Sequence, residues 1–209
     1  MKNYTVIKIY EGKNGVYCDL SPNPFSEKEE KISLLFRISD FYEAHIGKGD
    51  TVSEERFEEL YEISSVAAAV IKAENMLSTG DYSRQRLISK LTHSNIDKSH
   101  AAAAADIMAE KGYINEEEQT KKAAAYYCTK KNWGKKRIAA ELLSKGYCKQ
   151  AVFDAVNSVS PEKYSQALEN LVIKKFSEPC TDRKELDRRI ASLSRMGFSY
   201  SEITAALKK

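Results

Sequence analysis

The order of apolar and polar positions changes character once along the chain, near Val52. Before it, Tyr4-Thr5-Val6-Ile7-Lys8-Ile9-Tyr10 is β-branched and aromatic, and Val16, Cys18 and Leu20 alternate with Tyr17 and Asp19. This pattern predicts half-buried strands. Lys13-Asn14-Gly15 lies between them, and Asn-Gly is a strong hairpin signal. Ser21-Pro22-Asn23-Pro24 is a break, Lys31 to Ile38 reads as a third strand, and Gly47-Lys48-Gly49-Asp50 closes the segment. Three strands form a marginal unit alone and need something to pack on.

After Val52 helical spacing takes over. Ser53 caps a first helix over Glu54, Glu55 and Arg56, since its hydroxyl can accept from free N–H groups and acids suit a helix start. A second, Ala-rich helix runs from Ser64 to Leu77 and stops at Thr79-Gly80-Asp81. The remainder repeats. Gly146-Tyr147 and Gly197-Phe198 lie 51 residues apart. Each follows an amphipathic segment, Ile138, Leu142 and Leu143 in one and Ile190 and Leu193 in the other. Each precedes a short helix, with Val152, Phe153 and Val156 or Ile203, Ala206 and Leu207 as its apolar positions. A further shift of 51 sets Tyr82 on Trp133, Arg86 on Arg137, Leu87 on Ile138, Leu91 on Leu142 and Ile96 on Tyr147. Two equal shifts with matched apolar positions identify a triplicated unit.

The caps agree with this division. Asn115 precedes Glu116-Glu117-Glu118, Ser160-Pro161-Glu162 sets Pro at a first helical position, and Ser199 with Glu202 makes a capping box. The chain therefore reads as mainly α. A small β module spans 1–52, and helical repeats of three helices each span 53–110, 111–159 and 160–209. Units this small cannot bury their apolar faces alone, so they are expected to stack as an elongated, curved array.

Composition narrows the classes. Of 209 residues, 42% are hydrophobic and 30% charged, an ordinary soluble balance. The longest apolar runs, Val66 to Ile71 and Ala101 to Ala105, fall far short of the roughly 20 residues a membrane span needs. Met1 to Tyr10 lacks the apolar core of a signal peptide, so a cytoplasmic location without membrane partners is expected. Cys18, Cys128, Cys148 and Cys180 form no CxxC pair, which argues against a zinc site and for buried thiols. No phosphate-binding Gly-rich loop or HExxH motif is present, and His45, His93 and His100 are scattered. His93 and His100 read as surface or capping residues. Glu116, Glu117 and Glu118 point in three directions on a helix and read as a solvated first turn rather than a metal site. No enzyme activity and no cofactor are expected.

Charge is more informative. Residues 1–60 hold 8 Lys and Arg against 12 Asp and Glu, and residues 61–209 hold 25 against 18. The second-helix starts concentrate cations: Arg84 and Arg86 in repeat one, Lys135, Lys136 and Arg137 in repeat two, Arg183 and Lys184 in repeat three. Cations there oppose the helix macrodipole at about 0.3–1 kcal/mol each, which suggests a binding role. Helix N-termini with added cations also suit anions. Lys130, Lys131, Lys145, Arg188, Arg189 and Arg195 could extend a basic ridge that meets a polyanion or an acidic protein groove. Lys and Arg also fill solvent-facing helix positions simply as good helix formers. Trp133 could stack on a base or pack within the fold, and packing is commoner for a lone Trp at a helix start.

Several of these stretches resemble one family. Gly112-Tyr113-Ile114-Asn115-Glu116-Glu117, Ala123-Ala124-Ala125-Tyr126-Tyr127, Gly134-Lys135-Lys136-Arg137-Ile138 to Leu142, and Lys145-Gly146-Tyr147 resemble the middle of RecX proteins. Tyr82-Ser83-Arg84-Gln85-Arg86-Leu87 to Leu91 is similar to the family's first repeat, and Arg195-Met196-Gly197-Phe198 with Ile203 and Leu207 to its last. The resemblance covers about 60 to 209, and the β segment looks like an extension of longer members. Ile88, Thr92 and Ser94, and the pair Gln119-Thr120, depart from the family's pattern.

The resemblance implies a modulator, mainly an inhibitor, of RecA recombinase. Such a protein lies in the groove of the RecA filament on single-stranded DNA, limits recombinase and coprotease activity, and so regulates recombination, DNA repair and the SOS response. A monomer that also binds single- and double-stranded DNA is expected. A helix-turn-helix regulator acting on duplex DNA, or a protein-only repeat scaffold, are the other readings.

Overall fold

In the computed structural model, which describes residues 2–22, 31–176 and 182–207, the predicted hairpin opens the chain. β1 (Asn3–Gly12) and β2 (Gly15–Ser21) pair antiparallel around Lys13 and Asn14. Gly15 therefore already belongs to the strand, opposite Gly12. Its φ is +149°, and a Cβ there would collide with the carbonyl oxygen of Phe36, so glycine serves the approach of the neighbouring strand. That neighbour is β3 (Ile32–Phe36), shorter than the expected 31–38 because Ile38 begins a helix, α1 (Ile38–Ala44). β4 (Thr51–Ser53) completes a sheet of order β3-β2-β1-β4. Asn23-Pro24 of the expected break lies outside the described residues.

β4 runs straight into α2 (Glu54–Leu77), whose N-cap Ser53 accepts from the Arg56 N–H at 3.3 Å. Two helices were expected here and one is found. Ser64 and Ser65, which could have broken it, are both satisfied inside it. Ser64 Oγ accepts from the Leu35 N–H of β3 at 2.8 Å, and Ser65 Oγ donates to the Tyr61 carbonyl at 2.8 Å. Val6, Cys18, Leu20, Leu34, Phe36 and Leu60 make one core, so the sheet rests on α2. Further along, α2 packs on α4 (Lys98–Glu110), with Ala67, Ala73, Ala101, Ala104 and Met108 all fully buried. Small side chains let these two backbones approach closely. Between them in sequence comes α3 (Arg84–Thr92), which buries Leu87, Ile88 and Leu91.

Six helices follow: α5 (Glu116–Lys131), α6 (Lys135–Ser144), α7 (Lys149–Ser158), α8 (Pro161–Lys175), α9 (Arg183–Arg195) and α10 (Tyr200–Leu207). The helices thus fall into three sets of three, α2–α4, α5–α7 and α8–α10. The last two sets share a core that includes Ala124, Cys128, Ile138, Leu142, Val152, Leu168, Leu193, Phe198 and Ile203. Two positions expected inside lie outside: Leu143 is 44% exposed and Phe153 63%. On α7 the buried stripe is Ala151, Val152, Ala155 and Val156, which already covers the inward face.

The 51-residue period is visible in the backbone. Asn95, Gly146 and Gly197, each 51 apart, end their helices with φ of +61°, +81° and +93°. The next N–H then returns to a carbonyl five residues back, Ile96 to Leu91 and Tyr147 to Leu142, both at 3.3 Å.

By contact the chain divides into two compact units: Met1–Gly80 with Leu87–Tyr113, and Asp81–Arg86 with Ile114–Lys209. No helix among the described residues is long and apolar enough to cross a membrane.

Candidate binding surface

The expected cations all belong to the second unit, which carries 21 Lys and Arg against 13 Asp and Glu, a net +8. The first unit holds 12 against 17, a net −5. The helix starts that carry these cations are built in three different ways.

At α3, Ser83 Oγ accepts from the Arg86 N–H at 3.1 Å and donates to the Lys145 carbonyl at 2.7 Å. The Arg84 N–H donates to Glu116 Oε1 at 2.9 Å. The other oxygen of Glu116 accepts from the Cys148 N–H at 3.0 Å, at the start of α7. One carboxylate thus satisfies two helix starts, so Glu116 is a structural cap rather than part of a solvated turn. Glu117 and Glu118 remain exposed.

At α6, Gly134 offers no side chain. Its N–H donates to the Met196 carbonyl at 2.8 Å, and the Lys136 N–H donates to the Gly197 carbonyl at 3.2 Å. The carbonyl end of α9 therefore faces the cationic start of α6, which offsets the macrodipole penalty. At α9, Asp182 accepts from the Glu185 N–H at 2.6 Å. Thr181 lies outside the described residues. At each of these starts at least one first-turn amide is thus already engaged within the fold. The exposed charge there is carried by side chains.

Those side chains differ in freedom. Arg86, Lys130, Lys131, Lys135, Lys136, Arg183, Lys184, Arg188 and Arg195 are exposed. Lys130 and Lys131 sit in the last turn of α5, where cations suit the dipole. Arg84, Arg137 and Lys145 are half-buried. Arg189, expected on the basic side, is buried at 7% exposure. Its guanidinium pairs with Glu185 and lies 4.9 Å from the Phe176 ring centre, so its charge serves the fold.

An aromatic ladder holds Arg137. Asn132 ends α5 with φ +54°, turning the chain so that the Trp133 N–H donates to the Tyr127 carbonyl at 3.1 Å. The indole then stacks on the Tyr127 ring at 4.7 Å and 13°. Arg137 lies 4.2 Å from the indole centre, and its Nη1 meets Met196 Sδ at 3.0 Å and the Arg195 carbonyl at 3.5 Å. Lys145 Nζ donates to the Tyr127 hydroxyl and pairs with Glu141 at 3.3 Å, and the Tyr127 bond chiefly raises the Lys145 pKa. Trp133 is thus a packing residue, and Arg137 joins α6 to the end of α9. Tyr127 was not singled out from sequence. Its only signal was its place in Ala125-Tyr126-Tyr127, where the second Tyr faces inward.

No metal-binding cluster of His, Cys, Asp and Glu occurs among the described residues. Cys18 and Cys128 are buried as expected, whereas Cys148 is exposed and its sulfur caps α7, accepting from the Ala151 N–H at 3.4 Å. Cys180 lies outside the described residues.

No protein-family model matches the chain. Curated relatives named regulatory protein RecX do. The one from Clostridioides difficile strain 630 is 25% identical over 170 residues, covering 80% of this chain and 80% of its own length. The one from Leptothrix cholodnii is 27% identical over 137 residues, covering 66% and 85%. A crystal structure of regulatory protein RecX superposes with a TM-score of 0.80 over 99% of this chain and 100% of that chain, at 16% identity. This chain is RecX-like. The structure of RecX from Lactobacillus salivarius agrees over less of it, with a TM-score of 0.62 over 69% of this chain and 95% of that one, at 20% identity. At these identities the two structures speak for the RecX fold, and the helical sets with their N-terminal sheet are that fold.

Proposed function

We propose that this chain is a regulator of RecA recombinase, mainly an inhibitor, that engages the RecA filament on single-stranded DNA through the exposed cations of its second unit. The reading rests on its RecX-like sequence, and one observation carries the placement of the surface. Lys135 and Lys136 stay exposed at a helix start that is otherwise anchored on both sides by Trp133 and Arg137. A firmly held helix end that projects two cations is suited to an acidic groove or a phosphate backbone. Arg86, Lys130 and Lys131 are further exposed cations of the same unit.

The test is RecA ATPase and strand exchange on single-stranded DNA with the double variant Lys135→Glu/Lys136→Glu. Inhibition is expected to weaken strongly while circular dichroism shows the helical fold retained. Full inhibition by a folded double variant would overturn the reading.

A further inference from the structure

Phe153 is the largest apolar side chain of α7 and the one that α7 does not bury. It lies at 63% exposure, while Val152, Ala155 and Val156 form the inward stripe. A single exposed apolar residue is ordinary on a protein surface. What distinguishes this one is its neighbours. Residues four apart share a helix face, so Lys149, Phe153 and Asn157 form one stripe along α7, and all three are exposed. At its far end Lys135 Nζ reaches Asn157 Oδ1 at 3.5 Å and lies 5.4 Å from the centre of the Tyr164 ring. Along this stripe Phe153 thus falls between Lys149 and Asn157, the residue that Lys135 from the start of α6 reaches. The adjacent acid, Asp154, is turned along the next stripe, where Gln150 Nε2 donates to both of its oxygens at 3.1 and 3.0 Å.

We infer that Phe153 is a stacking platform for a base of single-stranded nucleic acid, with Lys149 and Lys135 taking the flanking phosphates. The inference rests on the proposed DNA-facing role of the second unit and adds the residue that reads the strand as unpaired. A phenyl ring can stack on an unpaired base of any identity, whereas the bases of a duplex are already stacked on one another. Cations alone contact phosphate and give no such preference. The occupant is therefore a single-stranded polynucleotide rather than a duplex, and its charge complements a unit of net +8. Asn157 stands where an amide could meet the edge of the stacked base.

The experiment measures binding of the full chain to oligothymidine, to an abasic oligonucleotide of equal length and to a duplex, by fluorescence anisotropy over a salt series. Phe153→Ala is expected to weaken oligothymidine binding about tenfold, leaving the abasic strand, the duplex and the salt slope unchanged. Phe153→Tyr is expected to restore it. Lys135→Ala is expected to weaken all three ligands and reduce the salt slope by about one. Unchanged oligothymidine affinity in Phe153→Ala, or an equal loss on the abasic strand, overturns the stacking role while the cationic surface stands. A wild-type chain that binds none of the three overturns both.

Discussion

The guanidinium of Arg137 lies 4.2 Å from the centre of the Trp133 indole, with its Nη1 on the sulfur and carbonyl side of the α9 turn. This arginine separates charge from structure. Arg137→Ala is expected to destabilise the second unit by about 1–2 kcal/mol, from the lost cation–π contact and the hydrogen bonds to the turn. Arg137→Lys keeps the charge but not the planar stack, and should recover less than half of that. Urea unfolding followed by Trp133 fluorescence measures both, and a wild-type midpoint for Arg137→Ala would show that the stack carries no stability.

Glu116 holds two helix starts at once. Glu116→Ala should cost about 1–3 kcal/mol, since two backbone donors lose their acceptor. Glu116→Gln retains one acceptor oxygen and should cost less. Glu117→Ala and Glu118→Ala, on the exposed side of the same turn, should stay within about 0.5 kcal/mol of wild type. Thermal melts of the four variants rank them, and equal effects at all three positions would deny Glu116 its special place.

The two turn glycines differ in their surroundings. A Cβ at Gly146 would meet Ser83 Oγ at 3.1 Å and Gln85 Cβ at 3.2 Å, tight contacts that a few tenths of an ångström of movement relieve. A Cβ at Gly197 would strike the backbone nitrogen of Arg137, which cannot yield. Gly146→Ala should therefore cost about 1–2 kcal/mol, the penalty of a left-handed backbone. Gly197→Ala should cost clearly more and reduce expression as soluble protein.

Thiol chemistry distinguishes the cysteines. Burial, helped by nearby Asp19, pushes the Cys18 thiol up to about 11, and burial also raises Cys128. In a Cys180→Ser background, Cys148 should react quickly with a thiol reagent and the other two only on unfolding. Burial likewise raises the Tyr164 phenol, which donates to the Val156 carbonyl at 2.9 Å. A raised value in the folded state stabilises the fold below the group's ordinary value. That contribution is lost as pH climbs from the ordinary value toward the raised one. Stability should therefore fall above about pH 9, where free thiols begin to ionise. A melting temperature that holds steady from pH 8 to about 11 would contradict this.

Much of the fold was legible because it is local or periodic. The hairpin follows from Val16, Cys18 and Leu20 alternating after a turn, and the caps Ser53, Asn115 and Ser199 each act on a residue three places ahead. The 51-residue period survives as matched left-handed positions at Asn95, Gly146 and Gly197. α1 and β4 were missed because they are too short to show a period. The site was legible in composition but not in availability. Arg189 looked like its neighbours Arg188 and Arg195, yet Glu185 and Phe176 bury it. The helix starts looked open to anions because Glu116, Met196 and Gly197 reach them from far along the chain and leave no trace near them. Phe153 looked like core because it adjoins Val152, although one residue of helix turns it roughly 100° away from the buried stripe.

Two of the matched left-handed turns each receive a partner from the set of helices before them. The turn at Lys145 and Gly146 receives Ser83 from the preceding set of helices, and the turn at Met196 and Gly197 receives Gly134 and Arg137 from the set before it. The partners are no longer alike, a serine hydroxyl in one junction and bare backbone with an arginine in the other. The sets are thus not interchangeable parts. A chain in which the second and third were permuted would bring Arg137 to no methionine and Ser83 to the wrong carbonyl, so each set is specific to its place in the order.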